Sequence, residues 1–216
     1  LEFRRVSSDL PANDLYAQYW SDRLRLDPDR AIQLGDRLAL DRFNPSLEDG
    51  WREDILATLK HYQASLTEIE KSAPKDSNRR STDILRREIE SDLQYYASEA
   101  FELSRELPLD QFQGPHLAYA QDAAGSGATP FKTVEDYDRA LRRADAFAKW
   151  SNQAILRLRE GLKRGIVLPH LVVERVLPQL AVHLKPDPEE TEFWQPIRSM
   201  PDTISGPERQ IGRAHV

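Results

Sequence analysis

Apolar residues recur at steps of three and four along most of this chain, the spacing of one helix face rather than the alternation of a strand. The first such stretch runs from about Asn13 to Leu26 and places Leu15, Tyr19, Trp20, Leu24 and Leu26 on one side. Asp27-Pro28 then supplies an N-cap and a proline at the first helical position, predicting a short helix over Asp29 to Leu34 that Gly35 ends. A long helix is predicted to start at Asn44-Pro45-Ser46, where Ser46 and Asp49 stand at capping-box spacing. Its stripe is Leu47, Trp51, Ile55, Leu59, Tyr62, Leu66 and Ile69. The polar run Lys71 to Ser81 breaks the pattern, and a second long helix follows through Ile84, Ile89, Leu93, Tyr96, Ala100 and Leu103. Two amphipathic helices joined in this way are expected to pack antiparallel.

From Leu107 to Phe131 no helical period can be traced, which predicts a long loop. Thr133 and Asp136 give another capping-box spacing and open the pattern Val134, Tyr137, Leu141, Ala144, Phe147, Ile155, Leu158 and Leu162, closed by Gly165. If unbroken, this helix is about 45 Å long. Pro169 opens a further helix, within which Pro178 is expected to kink the axis or end it. After Lys185 the sequence is short and broken by proline. With no alternating stretch flanked by hairpin-turn residues and no fixed repeat, the predicted class is all-α, built of long antiparallel amphipathic helices.

Composition narrows the function. The chain has 216 residues, 39% apolar and 31% charged, with 30 basic and 36 acidic side chains and a net charge of −6. These charges are interspersed, so no basic stripe exists to neutralise phosphates and nucleic acid is excluded as a partner. The absence of cysteine removes disulfides, thiolate metal sites and thiol nucleophiles. No apolar run approaches the roughly 20 residues of a membrane span. The chain begins at Leu1 with no leader pattern, leaving a cytoplasmic location and a periplasmic or secreted one both open.

Few residues point to chemistry. "GSGATPFKT", Gly125 to Thr133, places glycines ahead of Lys-Thr, but a phosphate loop needs glycine directly before the lysine and a preceding strand, and Phe131 stands there instead. His170 and Glu174 are one helical turn apart, a spacing that could supply two metal ligands, but two ligands do not make a site; the favoured reading has His170 facing solvent and Glu174 pairing with a basic neighbour. The five histidines, His61, His116, His170, His183 and His215, include no H-E-x-x-H. Carboxylates such as Glu88, Glu90, Asp92, Glu99 and Glu102 are mixed with Arg86, Arg87 and Arg105, as on a solvated helix face. His116 in "QGPHLAY" is the candidate substrate-binding residue, since Gly114-Pro115 can hold its ring over a cleft.

Five stretches together resemble one family: "LRLDPDRAIQLGDRLALDRF" (Leu24 to Phe43), "ELPLDQFQGPHL" (Glu106 to Leu117), "PFKTVEDYDRALRRADAF" (Pro130 to Phe147), "QAILRLREGLKRGIVLPHLVVERVL" (Gln153 to Leu177) and "FWQPIRSMPDTI" (Phe193 to Ile204). They are similar, in order, to the bacterial domain of unknown function numbered 885, whose members resemble helical zinc metallopeptidases. The resemblance implies a peptide substrate and a zinc motif of the form H-E-x-x-P-G-H-H, with a later Glu ligand, in a C-terminal half. No ligand or catalytic residue of that motif falls on this chain. What matches is helix punctuation: Pro28, Gly35, Gly114, Pro115, Gly161, Gly165 and Pro169.

Residues 1 to 210 are therefore expected to be the N-terminal helical half of a metallopeptidase-like fold, with zinc only in the full-length parent and the remaining half of the chain as the principal partner. The last six residues, Ile211 to Val216, read as what one frame of a common sequencing-library adapter encodes, and are expected to be a non-biological tail. A free-standing helical interaction module remains the competing reading. Helices built to pack on a further segment should expose a large apolar surface.

Overall fold

The computed structural model describes residues 12–72 and 79–204. The expected tail at Ile211 to Val216, and His215 with it, lie outside the described residues. Among these residues there are helices and turns but no strand, and no helix is long and apolar enough to cross a membrane. They divide into two compact units, one comprising the chain up to Asp27 with Pro45–Ser104, the other Pro28–Asn44 with the chain from Arg105 onward.

The first unit is built on α1 (Ala12–Leu26), α3 (Trp51–Ser72) and α4 (Arg79–Ala97). Its core holds Leu15 and Tyr19 of α1, Ile55, Leu59, Tyr62 and Leu66 of α3, and Leu85 and Ile89 of α4. Burying each such aliphatic side chain stabilises by about 1.5–3 kcal/mol. The expected antiparallel pairing of α3 and α4 is present: the Trp51 and Tyr96 rings meet at 5.6 Å, while Arg86 reaches Glu70 near the opposite ends. Polar tips close the seams, with the Tyr62 hydroxyl donating to Asp22 at 2.7 Å and the Trp51 indole to the Leu26 carbonyl at 3.0 Å. Burial and the neighbouring Asp22 carboxylate push the Tyr62 phenol pKa up.

Two boundaries and one buried stripe differ from the sequence expectation. The helix α3 starts at Trp51, so Ser46 and Asp49 lie in the preceding turns rather than at its cap; Gly50, at φ 85°, takes a left-handed conformation that stops the helix from extending backward. The second long helix is two helices, α4 and α5 (Glu99–Glu106). Ser98 divides them: its hydroxyl donates to the Tyr95 carbonyl at 2.7 Å and accepts from the Phe101 N–H at 3.2 Å, which caps α5. The buried stripe of α4 runs through Thr82, Leu85 and Ile89, while Ile84 is 67% exposed; in α5, Phe101 is buried and Ala100 is not. Ile84→Lys is accordingly expected to change stability by less than about 0.5 kcal/mol, against about 2–3 kcal/mol lost for Leu85→Ala. Urea unfolding of the two variants checks this, and equal losses would place the stripe wrongly.

The second unit contains α2 (Pro28–Gln33), α6 (Pro115–Ala123), α7 (Val134–Arg164), α8 (His170–Ala181) and α9 (Gln195–Arg198). The predicted short helix thus begins one residue early, at Pro28. The continuous helix predicted after Thr133 is α7, with 31 residues. Its capping box is formed: Asp136 N–H donates to the Thr133 hydroxyl, and the Asp136 carboxylate accepts from Thr133 N–H at 3.0 Å and Lys132 N–H at 3.1 Å. Burial works against ionisation of Asp136, but these donors and the Arg37 guanidinium at 2.8 Å hold its pKa below the usual carboxylate value. At the other end Gly165, φ 75°, closes the helix, and the Ile166 N–H returns to the Gly161 carbonyl at 2.8 Å.

One expectation fails in this unit and another is narrowed. The stretch from Leu107 to Phe131 is not one loop, because α6 occupies its middle. Of the two outcomes expected at Pro178, a kink or an end, the end does not occur: α8 continues to Ala181 with the Val182 N–H bonded to the Pro178 carbonyl at 3.2 Å.

Candidate functional site

The segment leading into α6 is shaped by Asp110, whose carboxylate accepts from the Phe112 N–H at 2.7 Å and the Gln113 N–H at 3.2 Å. This Asx turn turns Phe112 outward, where it is 83% exposed. Gly114 follows at φ 139°, a conformation that a side chain disfavours, and a Cβ there would press on the His116 ring at 3.2 Å. Pro115 then opens α6 in its first turn. His116, the predicted substrate-binding residue, is folded inward beside this turn and is only 6% exposed.

The Gln179 side chain of α8 donates to the Gln111 carbonyl at 2.9 Å and ties the segment to that helix. Between them lies an open groove of about 550 Å³, lined by Gln111, Phe112, Leu171, Arg175, Pro178 and Gln179. Buried within its wall, the side-chain carbonyls of Gln111 and Gln179 accept no hydrogen bond among the described residues, and none of ordinary geometry reaches either His116 ring nitrogen. Burial pushes the His116 pKa down from its ordinary 6.5; the Gln179 amide and the Asp110 charge oppose this, and His183 adds to it. The folded imidazole is therefore held neutral.

This neutrality carries a pH signature. The unfolded chain takes up a proton at His116 at a higher pH than the folded chain does, so stability is present above 6.5 and is lost as pH falls through that value toward the lowered one. Chemical unfolding at neutral and mildly acidic pH should show this loss, and His116→Gln should remove part of it. An unchanged pH slope in the variant would contradict the assignment.

The other residues singled out in the sequence make the following contacts. His170 and Glu174 come within 3.6 Å of each other with side chains 87% and 58% exposed, a solvent-screened surface contact contributing little. His183 pairs with Glu192 at 3.0 Å. The glycine-rich stretch spends its donors on its own helix: Ser126 and Gly127 N–H groups bond to the Gln121 carbonyl, and the Ala128 N–H bonds to the Asp122 carboxylate at 2.9 Å. A side chain at Gly127 would collide with that carboxylate. The loop is thus a wrap around the end of α6 and offers no phosphate cradle.

Sequence reading missed Arg143, which lies on the buried side of α7 at 3% exposure. Its guanidinium donates to Asp29 at 2.9 Å, to Asp122 at 3.4 Å and to the Arg42 carbonyl, and stands 5.0 Å over the Phe43 ring. No local signal marks it, because its partners are distant in the chain. The second unit also leaves Ile155, Leu156, Leu162, Leu177, Leu180 and Leu184 exposed along α7, α8 and the residues after it.

Among the described residues no three His, Cys, Asp or Glu side chains are grouped to hold a metal ion. No curated protein and no solved structure matches the chain. Residues 28–215 match the sequence profile of a family described as bacterial protein of unknown function (DUF885), a match that covers the second unit up to residue 215 together with the Pro45–Ser104 part of the first. The chain belongs to that family of bacterial proteins.

Proposed function

We propose that this chain is the N-terminal helical portion of a zinc-dependent peptidase and forms a wall or lid of the channel that admits the peptide. The zinc and the hydrolytic residues belong, on this reading, to a following segment of the same polypeptide, and the residues described here supply shape and peptide contacts. The observation that carries the proposal is the set of large apolar side chains left open on the second unit, with Leu162 at 67%, Leu177 at 59% and Leu184 at 80% exposure. A surface of this kind is suited to being covered by another protein segment. The groove beside His116 adds support, being an open cleft of about 550 Å³ with the exposed Phe112 ring in its lining.

The same apolar surface would also serve a free-standing interaction module, and one experiment separates the two. Reading the gene onward past Gln210 should reveal an H-E-x-x-H helix; a natural stop with no such helix would favour the module. On the protein itself, an apolar-sensing dye should bind, and Leu177→Lys with Leu184→Lys should reduce the signal. A chain that binds no dye would count against both readings.

A further inference from the structure

A second cavity, away from His116, lies within the second unit. It is a partly open pocket of about 140 Å³ between α6, α7 and the residues around α9. Four rings form its walls, Tyr119, Phe131, Tyr137 and Phe193, and Ala140 and Ala144 of α7 leave the space at its floor. Two of the rings are fixed in place. Tyr119 stacks on Phe147 at 3.9 Å, and the Tyr137 hydroxyl is spent on the Pro196 carbonyl at 2.8 Å, so Tyr137 presents carbon to the cavity. An apolar cavity of about 150 Å³ in another protein takes up benzene. Aromatic walls add edge and face contacts suited to a further ring.

The polar part of the lining limits what that ring can carry. Arg143 borders the cavity, but its charge is shared between Asp29 and Asp122, and two carboxylates against one guanidinium make the surroundings unfavourable to an anion. Thr129 is also a lining residue; it is 5% exposed and its hydroxyl oxygen has no partner among the described residues. A buried hydroxyl in that condition favours a ligand that brings one hydrogen-bonding group.

We propose that this cavity binds a single uncharged phenol ring, held between Tyr119, Phe131, Tyr137 and Phe193, with its hydroxyl paired to Thr129. The proposal is independent of the peptidase reading, because uptake of a free ring requires no catalytic segment. Two sources share this chemistry, a small phenolic molecule and the side chain of a tyrosine.

Titrating the 216-residue chain with p-cresol, toluene, benzoate and N-acetyl-tyrosinamide, followed by ligand-observed NMR, tests the proposal. Saturable binding is expected for p-cresol, weaker binding for toluene, and none for benzoate. Binding of N-acetyl-tyrosinamide as well would identify a tyrosine side chain as the source, and its absence a free phenol. Ala144→Phe fills the floor and should weaken p-cresol by roughly tenfold or more with the circular dichroism unchanged. Should that variant fail to fold, Thr129→Val should abolish the preference of p-cresol over toluene while leaving toluene bound. No saturable p-cresol binding, equal binding of benzoate, or a preference that survives Thr129→Val would overturn the proposal.

Discussion

Replacing Arg143 by methionine is expected to destabilise the second unit by about 3–5 kcal/mol. The guanidinium is almost fully buried and joins two carboxylates and a backbone carbonyl separated from it by 21, 114 and 101 positions. Methionine fills much of the volume but removes the guanidinium that Asp29 and Asp122 share, and their mutual repulsion is then less well compensated. Lysine should not rescue the loss, because a single ammonium cannot span the partners that the planar fork reaches together. Adding Asp122→Asn to the methionine variant should recover part of the stability by removing one stranded charge. Thermal or urea unfolding measures each step; a loss below about 1 kcal/mol would show the network to be incidental.

Leu59→Ala is the corresponding expectation for the first unit. Leu59 is fully buried on α3, within the cluster of Leu15, Ile55, Leu66 and Ile89. Truncating it removes apolar contact and leaves a cavity that three packed helices can only partly close, at a cost of about 3–4 kcal/mol. Leu59→Met, which nearly conserves volume, should cost less than about 1.5 kcal/mol. If alanine and methionine were equally tolerated in urea titrations, the site would not be closely packed.

The contrast between these two residues shows what the sequence could disclose. Leu59 stands in a stripe repeating every three or four positions, so its burial follows from spacing alone. The helix α7 was equally legible, because Thr133, Asp136 and Gly165 mark both of its ends with residues whose roles are local. By contrast, α6 begins after a glycine, with no side-chain cap, and its short alanine-rich run carries little period. On α4, Ile84 and Leu85 are neighbours offering two plausible stripes; Leu85 is buried because Thr82 and Ile89 share its face. Arg143 reads as a solvated charge until its partners are brought to it by the tertiary fold. For His116, the adjoining Gly114-Pro115 pointed to a constrained loop, but its inward ring depends on α8, a helix more than fifty residues later in the chain.

The helix α7 runs for 31 residues without an internal proline, and its first glycine, Gly161, lies in the closing turn. From Ala140, at the floor of the aromatic cavity, to Leu158 is about 27 Å along its axis. A stiff rod of that reach acts as a lever. A tilt of only about 2° at the cavity end would swing the far end by about 1 Å, enough to alter how closely a covering segment seats against Ile155 and Leu162.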